Sequence, residues 1–337
     1  MLKSKQRLLE LNAKLAETLS NKGVTASSDE TTTALINKVS DIEGGGGDDS
    51  LLIGLIQRDL TEMIIPESIT KINNYAFAGC SLLTSVTIPN SVTSIGAYAF
   101  QDCTSLKSVT IPDGVTAIET STFYYCRKLT SITIPNSVTY ISHSAFTGCS
   151  LLTSVTIPDG VTRIGTYAFQ DCTALKSIII PNSVTSIGGH AFKKCLALTS
   201  ITIPNGVTSI EGYLLHDCTA LKSIIIPNSV TSIKERAFRA CTSLTSVTIP
   251  NSVTSIQFEA FHGCNSLENF VVEIGFNASL DISHSTKFSR ETLRAIIDNY
   301  ADRTGQSVLT FRIGSTNLAK LTEEDIAVAT NKNITLA

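Results

Sequence analysis

Residues 83–105 read LTSVTIPNSVTSIGAYAFQDCTS, and seven repeats further on, residues 244–266 read LTSVTIPNSVTSIQFEAFHGCNS. The intervening chain repeats the same pattern without a gap. Proline stands at Pro66, Pro89, Pro112, Pro135, Pro158, Pro181, Pro204, Pro227 and Pro250, which accounts for all nine prolines. Cysteine stands at Cys80, Cys103, Cys126, Cys149, Cys172, Cys195, Cys218, Cys241 and Cys264, again all nine. A third ladder runs through Phe77, Phe100, Phe123, Phe146, Phe169 and Phe192, then Leu215, Phe238 and Phe261. Self-similarity at a fixed period of 20–50 residues is the signature of stacked supersecondary units. The fold expected is therefore an α/β leucine-rich-repeat solenoid of nine 23-residue coils.

Each part of the unit has a physical task. Leu83, Val86 and Ile88 have the L-x-x-L-x-L spacing that turns apolar side chains inward from a short strand, with Thr84, Ser85 and Thr87 outward. Pro89-Asn90-Ser91, or Pro112-Asp113-Gly114 in the next coil, ends the strand in a tight turn. A second extended piece is expected over Val92 to Ile95. In the remaining stretch, Gly96 to Cys103, the apolar residues Ala99, Phe100 and Cys103 fall at i, i+1 and i+4, a helical spacing. One coil of this length cannot bury its own Leu, Val, Ile and Phe. Stability must come from stacking neighbours, so Pro89, Phe100, Cys103, Phe169 and Cys172 are assigned to structural ladders.

Every cysteine has the same position in its coil and the total is odd. A column of buried thiols, acting as small hydrophobes, is favoured over stacked disulfides. Zinc would need paired ligands at C-x-x-C or His spacing, so no metal or other cofactor is expected. A net charge of −3 with 16% charged residues lacks the basic stripe of a nucleic-acid binder. No apolar run reaches the length of a membrane span, and Leu8 to Leu19 is interrupted by Glu10, Asn12, Lys14 and Glu17, so no secretory core segment is present.

The ends depart from the period. Residues 1–43 form the expected N-terminal helical segment: Leu8, Leu11, Leu15 and Leu19 make an apolar stripe, suited to homo-oligomer formation through residues 1–22 or to packing on the first coil. A second helix carries Leu35, Ile36 and Val39 after a capping-box spacing at Ser27 and Glu30. Residues 44–59, opening with Gly44 to Gly47, read as a flexible linker and cover for the first strand. The solenoid is expected over 60–273 and an α/β C-terminal cap over 274–337. In the cap, strands are expected at Leu280–Ile282, Val308–Ile313 and Ile334–Leu336. One helix is expected from Ser289 to near Gly305, and another capped by Thr322 with Asp325, Ile326 and Val328 as contacts.

The unit S-V-T-I-P-N-S-V-T-S-I-G-x-x-A-F-x-x-C resembles the BspA-type leucine-rich repeat over residues 60 to 273. That resemblance implies adhesion or recognition, since such repeats occur in surface proteins of bacteria and some protozoan parasites and in phage or prophage tail-associated proteins. The segment from Leu280 to Thr322 is similar to the cap of gut-bacterial and phage members. Absence of a signal peptide, sorting motif or anchor within the sequence favours a cytoplasmic or virion-associated location over classical secretion, and an intracellular interaction scaffold is a further reading.

The repeats differ from one another mainly in the stretch after the second strand. Tyr98, Tyr124, Tyr125, Tyr167 and Tyr213 stand there with His143, His190, His216 and His262, and a basic group builds up from Lys193 and Lys194 through Lys234, Arg236 and Arg239. Such positions are solvated decoration by default. Aromatic and Arg side chains are also the types that anchor interfaces, which makes these ten Tyr, Lys and Arg residues the candidate contacts for a protein or glycan ligand. The exposed Thr and Ser of the strands suit a β-ladder on conformational grounds; as a hydroxyl array they are a weaker candidate for carbohydrate, protein or, more remotely, ice. No His stands with a carboxylate and nucleophile in register, and the tetraglycine lacks the context of a phosphate loop. Binding rather than catalysis is the expectation.

Overall fold

A computed structural model describes residues 61–337; the expected N-terminal helices, the oligomerisation stripe and the glycine linker lie outside the described residues. Each coil contributes two short strands. The first set begins at Glu62–Ile64 and Ser85–Thr87 and recurs once per coil to Ser246–Ile249 and Asn269–Val272. The second set runs from Lys71–Ile72 and Ser94–Ile95 to Ser255–Ile256. Neighbouring coils pair in parallel and in register, as in Val109 opposite Ile132 and Ile164 opposite Ile187. Ser85, Val86 and Thr87 alternate exposed, buried, exposed, so the inward Leu, Val and Ile face the core as the spacing requires. The second strand is shorter than expected, two residues at Ser94–Ile95, because Val92 already lies in the turn, its N–H donating to Pro89 O at 3.1 Å.

The stretch from Gly96 to Cys103 is not helical. Within it the backbone N–H groups divide their work by parity. Ala99, Gln101 and Cys103 donate locally to Gly96, Tyr98 and Phe100, whereas Tyr98, Phe100 and Asp102 donate to Thr120, Thr122 and Tyr124 of the next coil at 2.9, 2.9 and 2.8 Å. Two residues per coil reach positive φ to allow this: Tyr98 at 60° and Asp102 at 56°. The same two ranks recur through Tyr167 and Asp171, Tyr213 and Asp217, to Glu259 and Gly263. A helix would satisfy these groups within itself; a coil this short must pass half of them to its neighbour.

The core is one continuous stack. Phe77, Phe100, Phe123, Phe146, Phe169 and Phe192 lie ring on ring with centroids 5.1 to 5.6 Å apart, and Phe238 on Phe261 at 5.1 Å. All nine cysteines are free and buried. Their thiols do more than fill space: Cys103 Sγ donates to Phe77 O at 3.1 Å and Cys172 Sγ to Phe146 O at 3.2 Å. Burial pushes the thiol of Cys172 well above its ordinary range.

Beyond Val272 the period ends. A three-stranded parallel sheet of Leu280–Asp281, Leu309–Arg312 and Ile334–Leu336 packs with three helices, α1 (Arg290–Asn299), α2 (Gly314–Leu318) and α3 (Glu323–Asn331). Phe288 closes over Phe270 of the last ladder strand, centroids 6.5 Å apart, and Asn299 Nδ2 donates to Val272 O at 2.7 Å. Ser289 caps α1, and Thr322 with Asp325 forms a capping box on α3. Two details differ from expectation. Helix α1 ends at Asn299, well before Gly305, because Tyr300 turns into the core, where it is 2% exposed. Ile326 is 40% exposed, and α3 instead buries Asp325 and Ala329.

Candidate functional site

Variation between coils concentrates in the connecting arcs, at the two left-handed ranks and at the positions beside them. The first runs Tyr75, Tyr98, Ser121, Ser144, Tyr167, His190, Tyr213, Arg236 and Glu259. Holding a non-glycine residue at φ near 60° costs about 1–2 kcal/mol, and the inter-coil hydrogen bonds of this rank offset it. Because successive members stand one above another, their side chains stack. Tyr98 lies on Tyr75 at 4.7 Å with the rings 2° apart. Ser121 and Ser144, both buried, interrupt the column.

It then resumes over four coils. Tyr167 meets His190 at 4.5 Å, His190 stacks on Tyr213 at 4.5 Å, and the Arg236 guanidinium lies 5.6 Å from the Tyr213 centroid while donating a hydrogen bond to its hydroxyl. His143 approaches Tyr167 edge-on at 5.2 Å, and Lys193 Nζ lies 5.8 Å from Tyr213. The structure thus gathers Tyr167, Tyr213, Lys193 and Arg236 into one group. Tyr124 and Tyr125 form a separate edge-to-face pair at 4.4 Å, with Arg127 over Tyr125 at 4.9 Å. Tyr125 leans over Gly148, where an added Cβ would meet its ring at 2.2 Å, so a glycine is required beneath it. Tyr98 stands apart with Tyr75, a partner that sequence reasoning passes over although it is 56% exposed in the same register.

The basic group is less basic in three dimensions than along the chain. Arg236 Nε pairs with Glu259 at 2.8 Å and Arg239 with the same carboxylate at 3.6 Å; the hydrogen bond from Arg236 holds Glu259 below the usual carboxylate range. Asp217 lies 3.0 Å from His216 Nδ1. Lys194 remains exposed, and Lys234 is half-buried at the start of its arc. Burial lowers the pKa of His190, His216 and His262, with Lys193 adding to the first two and His284 to the third.

The outward strand face is not a uniform hydroxyl array. Flanking threonines spend their hydroxyls internally, Thr84 Oγ1 donating to Thr61 O at 2.8 Å and Thr130 Oγ1 to Lys107 O at 3.1 Å. In the Thr87 rank, Ile179 and Ile225 are 75% and 76% exposed. Among the described residues no group of three or more His, Cys, Asp or Glu is placed to hold a metal ion, and no helix is long and apolar enough to cross a membrane.

Comparison with known proteins matches the model of the BspA type leucine rich repeat region at residues 56–176 and 162–285. The chain belongs to the BspA-type leucine-rich-repeat family. A leucine rich cell surface protein from Faecalibacterium prausnitzii is 31% identical, with 63% of this chain and 79% of that one covered and a TM-score of 0.35. A leucine-rich repeat protein from Bacteroides ovatus is 22% identical over 82% and 92% of the two chains, TM-score 0.39. The pneumococcal vaccine antigen PcpA is 20% identical over 82% and 77%, TM-score 0.50, a likeness of fold. No curated protein sequence matches. Proteins of the BspA-type repeat are generally non-enzymatic binding proteins.

Proposed function

We propose that this chain is a non-enzymatic recognition and adhesion protein that binds a protein or carbohydrate partner through the variable arcs of its solenoid. The reading divides the chain into a recognition body at 60–273, closed by a cap at 274–337. One observation carries it: the invariant ladders are consumed by packing and turns, while the departures from the repeat stack into a continuous partly exposed column from Tyr167 through His190 and Tyr213 to Arg236. Tyr and Arg in contiguous groups are the side chains on which interface energy concentrates. Stacking also fixes their rotamers before a partner arrives, which lowers the ordering cost of binding.

The column can be erased without touching the core, because Ser121 and Ser144 occupy the same rank in other coils of this chain. The triple variant Tyr167→Ser, Tyr213→Ser, Arg236→Ser should keep its thermal midpoint within a few degrees. Wild-type protein immobilised and exposed to bacterial and host surface glycans and proteins should show saturable binding that the triple variant loses. Binding of equal strength by both proteins, or none by the wild type, overturns the proposal.

A further inference from the structure

Where the last coil meets the C-terminal sheet, the surface opens into a cavity of about 240 Å³ walled by Gln257, Phe258, Ser279, Asp281, Thr310 and Arg312 among others. A smaller one of about 80 Å³ adjoins it, sharing Phe258, Glu259 and Asp281 and bounded by His262 and His284. Three features set this groove apart from the arcs of the preceding coils. Phe258 occupies a place held in the preceding coils by Gly189, Gly212 and Glu235, and it stays 63% exposed although the Arg236 guanidinium lies 5.3 Å from its ring. A ring at the mouth of a cavity offers an apolar platform of the kind that lines small-molecule sites. Arg312, on the central strand of the C-terminal sheet, is exposed and makes no salt bridge among the described residues, although Asp281 stands opposite it in the strand register. The two carboxylates of the wall are, by contrast, already engaged. Glu259 is held by Arg236 and Arg239, and Asp281 Oδ1 accepts from the Ser283 N–H at 3.1 Å and the Ser283 hydroxyl at 2.7 Å, leaving Oδ2 as a further acceptor.

A ligand that uses all of these groups needs an apolar face, hydroxyls and an anion at one end. We infer that the groove between the last coil and the C-terminal sheet binds a pyranose sugar bearing a carboxylate, its ring lying on Phe258 and its carboxylate meeting Arg312. Arg presents a planar fork matched to a carboxylate. Asp281 Oδ2 and Gln257 Nε2 remain to meet the hydroxyls, the Gln257 Oε1 already accepting from the Glu235 N–H at 3.3 Å. The volume of about 240 Å³ lies below the usual range for small-molecule pockets, which limits the ligand to about one sugar ring. This assignment rests on the recognition reading above and names a ligand class for one part of the surface; it shares with the Tyr167–Arg236 column only Arg236, which lies against Phe258 and pairs with Glu259.

Carboxylate sugars come from two sources, uronates and sialates, and the test separates them. The full chain is titrated calorimetrically with galacturonate and its short oligomers, with N-acetylneuraminate, and with galactose as the neutral control. Either acid series should saturate, the responding one naming the source, and galactose at the same concentration should not. Arg312→Gln and Phe258→Ala replace exposed side chains, should fold as the wild type by circular dichroism, and should each weaken the acid sugar at least tenfold. Equal binding of galactose, no binding of either acid, or acid binding unchanged in both variants overturns the assignment. If the acids fail while surface ligands still bind through Tyr213, only the groove assignment falls; if both are absent, the recognition reading falls with it.

Discussion

In the coils each stabilising contact is made many times, whereas between Ser283 and Ala337 each is made once. The thiol-to-carbonyl bond of Cys103 recurs at every later cysteine to Cys264. The C-terminal region instead buries single polar anchors. Asp325 is fully buried, accepts from Arg290 at 2.8 Å and Arg294 at 2.9 Å, and completes the cap of α3. Asn317, equally buried, donates to Ser285 O and Ile313 O, and Lys320 Nζ donates to Thr286 O and Phe288 O. A repeat needs only a residue type that suits nearest-neighbour stacking, since stability is a sum of like terms. A closing region meets one irregular surface and one solvent boundary, so its contacts have no second copy.

The largest expected loss tests the stacked side of that contrast. Phe169 is fully buried between Phe146 and Phe192, so Phe169→Ala should cost about 3–5 kcal/mol, while Thr156→Ala on the exposed face of the same coil should stay within about 0.5 kcal/mol. Chemical denaturation of both variants checks this, and comparable small losses would reverse the inward and outward assignment.

Next comes the single-copy anchor. Asp325→Ala removes the shared acceptor of two guanidiniums and the reciprocal cap; because both guanidiniums keep part of their surface in water, the loss should be about 1.5–3 kcal/mol, the range for hydrogen bonds to a charged group. The loss should fall on the C-terminal region alone: hydrogen exchange should quicken in 290–337 and leave the amides around Phe146 protected. Uniform acceleration along the chain would show the two regions to be energetically one.

How much of this is legible in the sequence follows the same line. Pro, Cys and Phe report the period independently, so the solenoid, its inward faces and its reduced cysteines can be read from residue spacing. The arcs read as helical, wrongly, because Ala99, Phe100 and Cys103 satisfy a helical template over too short a stretch to test it. A contrary signal stands in the sequence: Gly79, Gly148 and Gly263 share a rank with Asp102, Asp171 and Asp217, the residue types that tolerate positive φ. The candidate residues are visible as variation, but variation cannot say which members touch. That depends on register between coils, which places Tyr213 against His190 and Arg236 and leaves Tyr98 apart. The junction groove is out of reach, since Phe258 and Arg312 lie far apart along the chain, one inside the repeat and the other beyond its end.

A smaller effect of opposite sign should come from the left-handed rank itself. Ala240 sits at φ 59° in the position where other coils place Gly79, Gly148 and Gly263. Ala240→Gly should therefore stabilise the protein by roughly 0.5–1 kcal/mol, relief of backbone strain outweighing the entropy that glycine gains in the unfolded chain. A lower melting temperature for this variant would mean that the inter-coil hydrogen bond from Ala240 to His262, 2.7 Å long, does not hold that geometry at a strain cost.

Acid should separate the two regions most finely. His190, His216 and His262 have folded pKa values below the ordinary 6.5, first because burial disfavours the imidazolium. As pH falls through 6.5 the unfolded chain takes up protons that the folded arcs resist, so stability is full above that value and declines below it. Asp325 behaves differently. The Arg290 hydrogen bond lowers its pKa below the ordinary 3.8, so its contribution is present above 3.8 and fades only as pH falls further toward the folded value. Between pH 7.5 and 5 the melting temperature of the wild type should therefore drop gradually. The triple variant His190→Gln, His216→Gln, His262→Gln should flatten that slope, and Asp325→Asn, though less stable throughout, should keep it. A slope that survives loss of the three histidines, or disappears with Asp325, would place the acid response in the C-terminal region instead of the arcs.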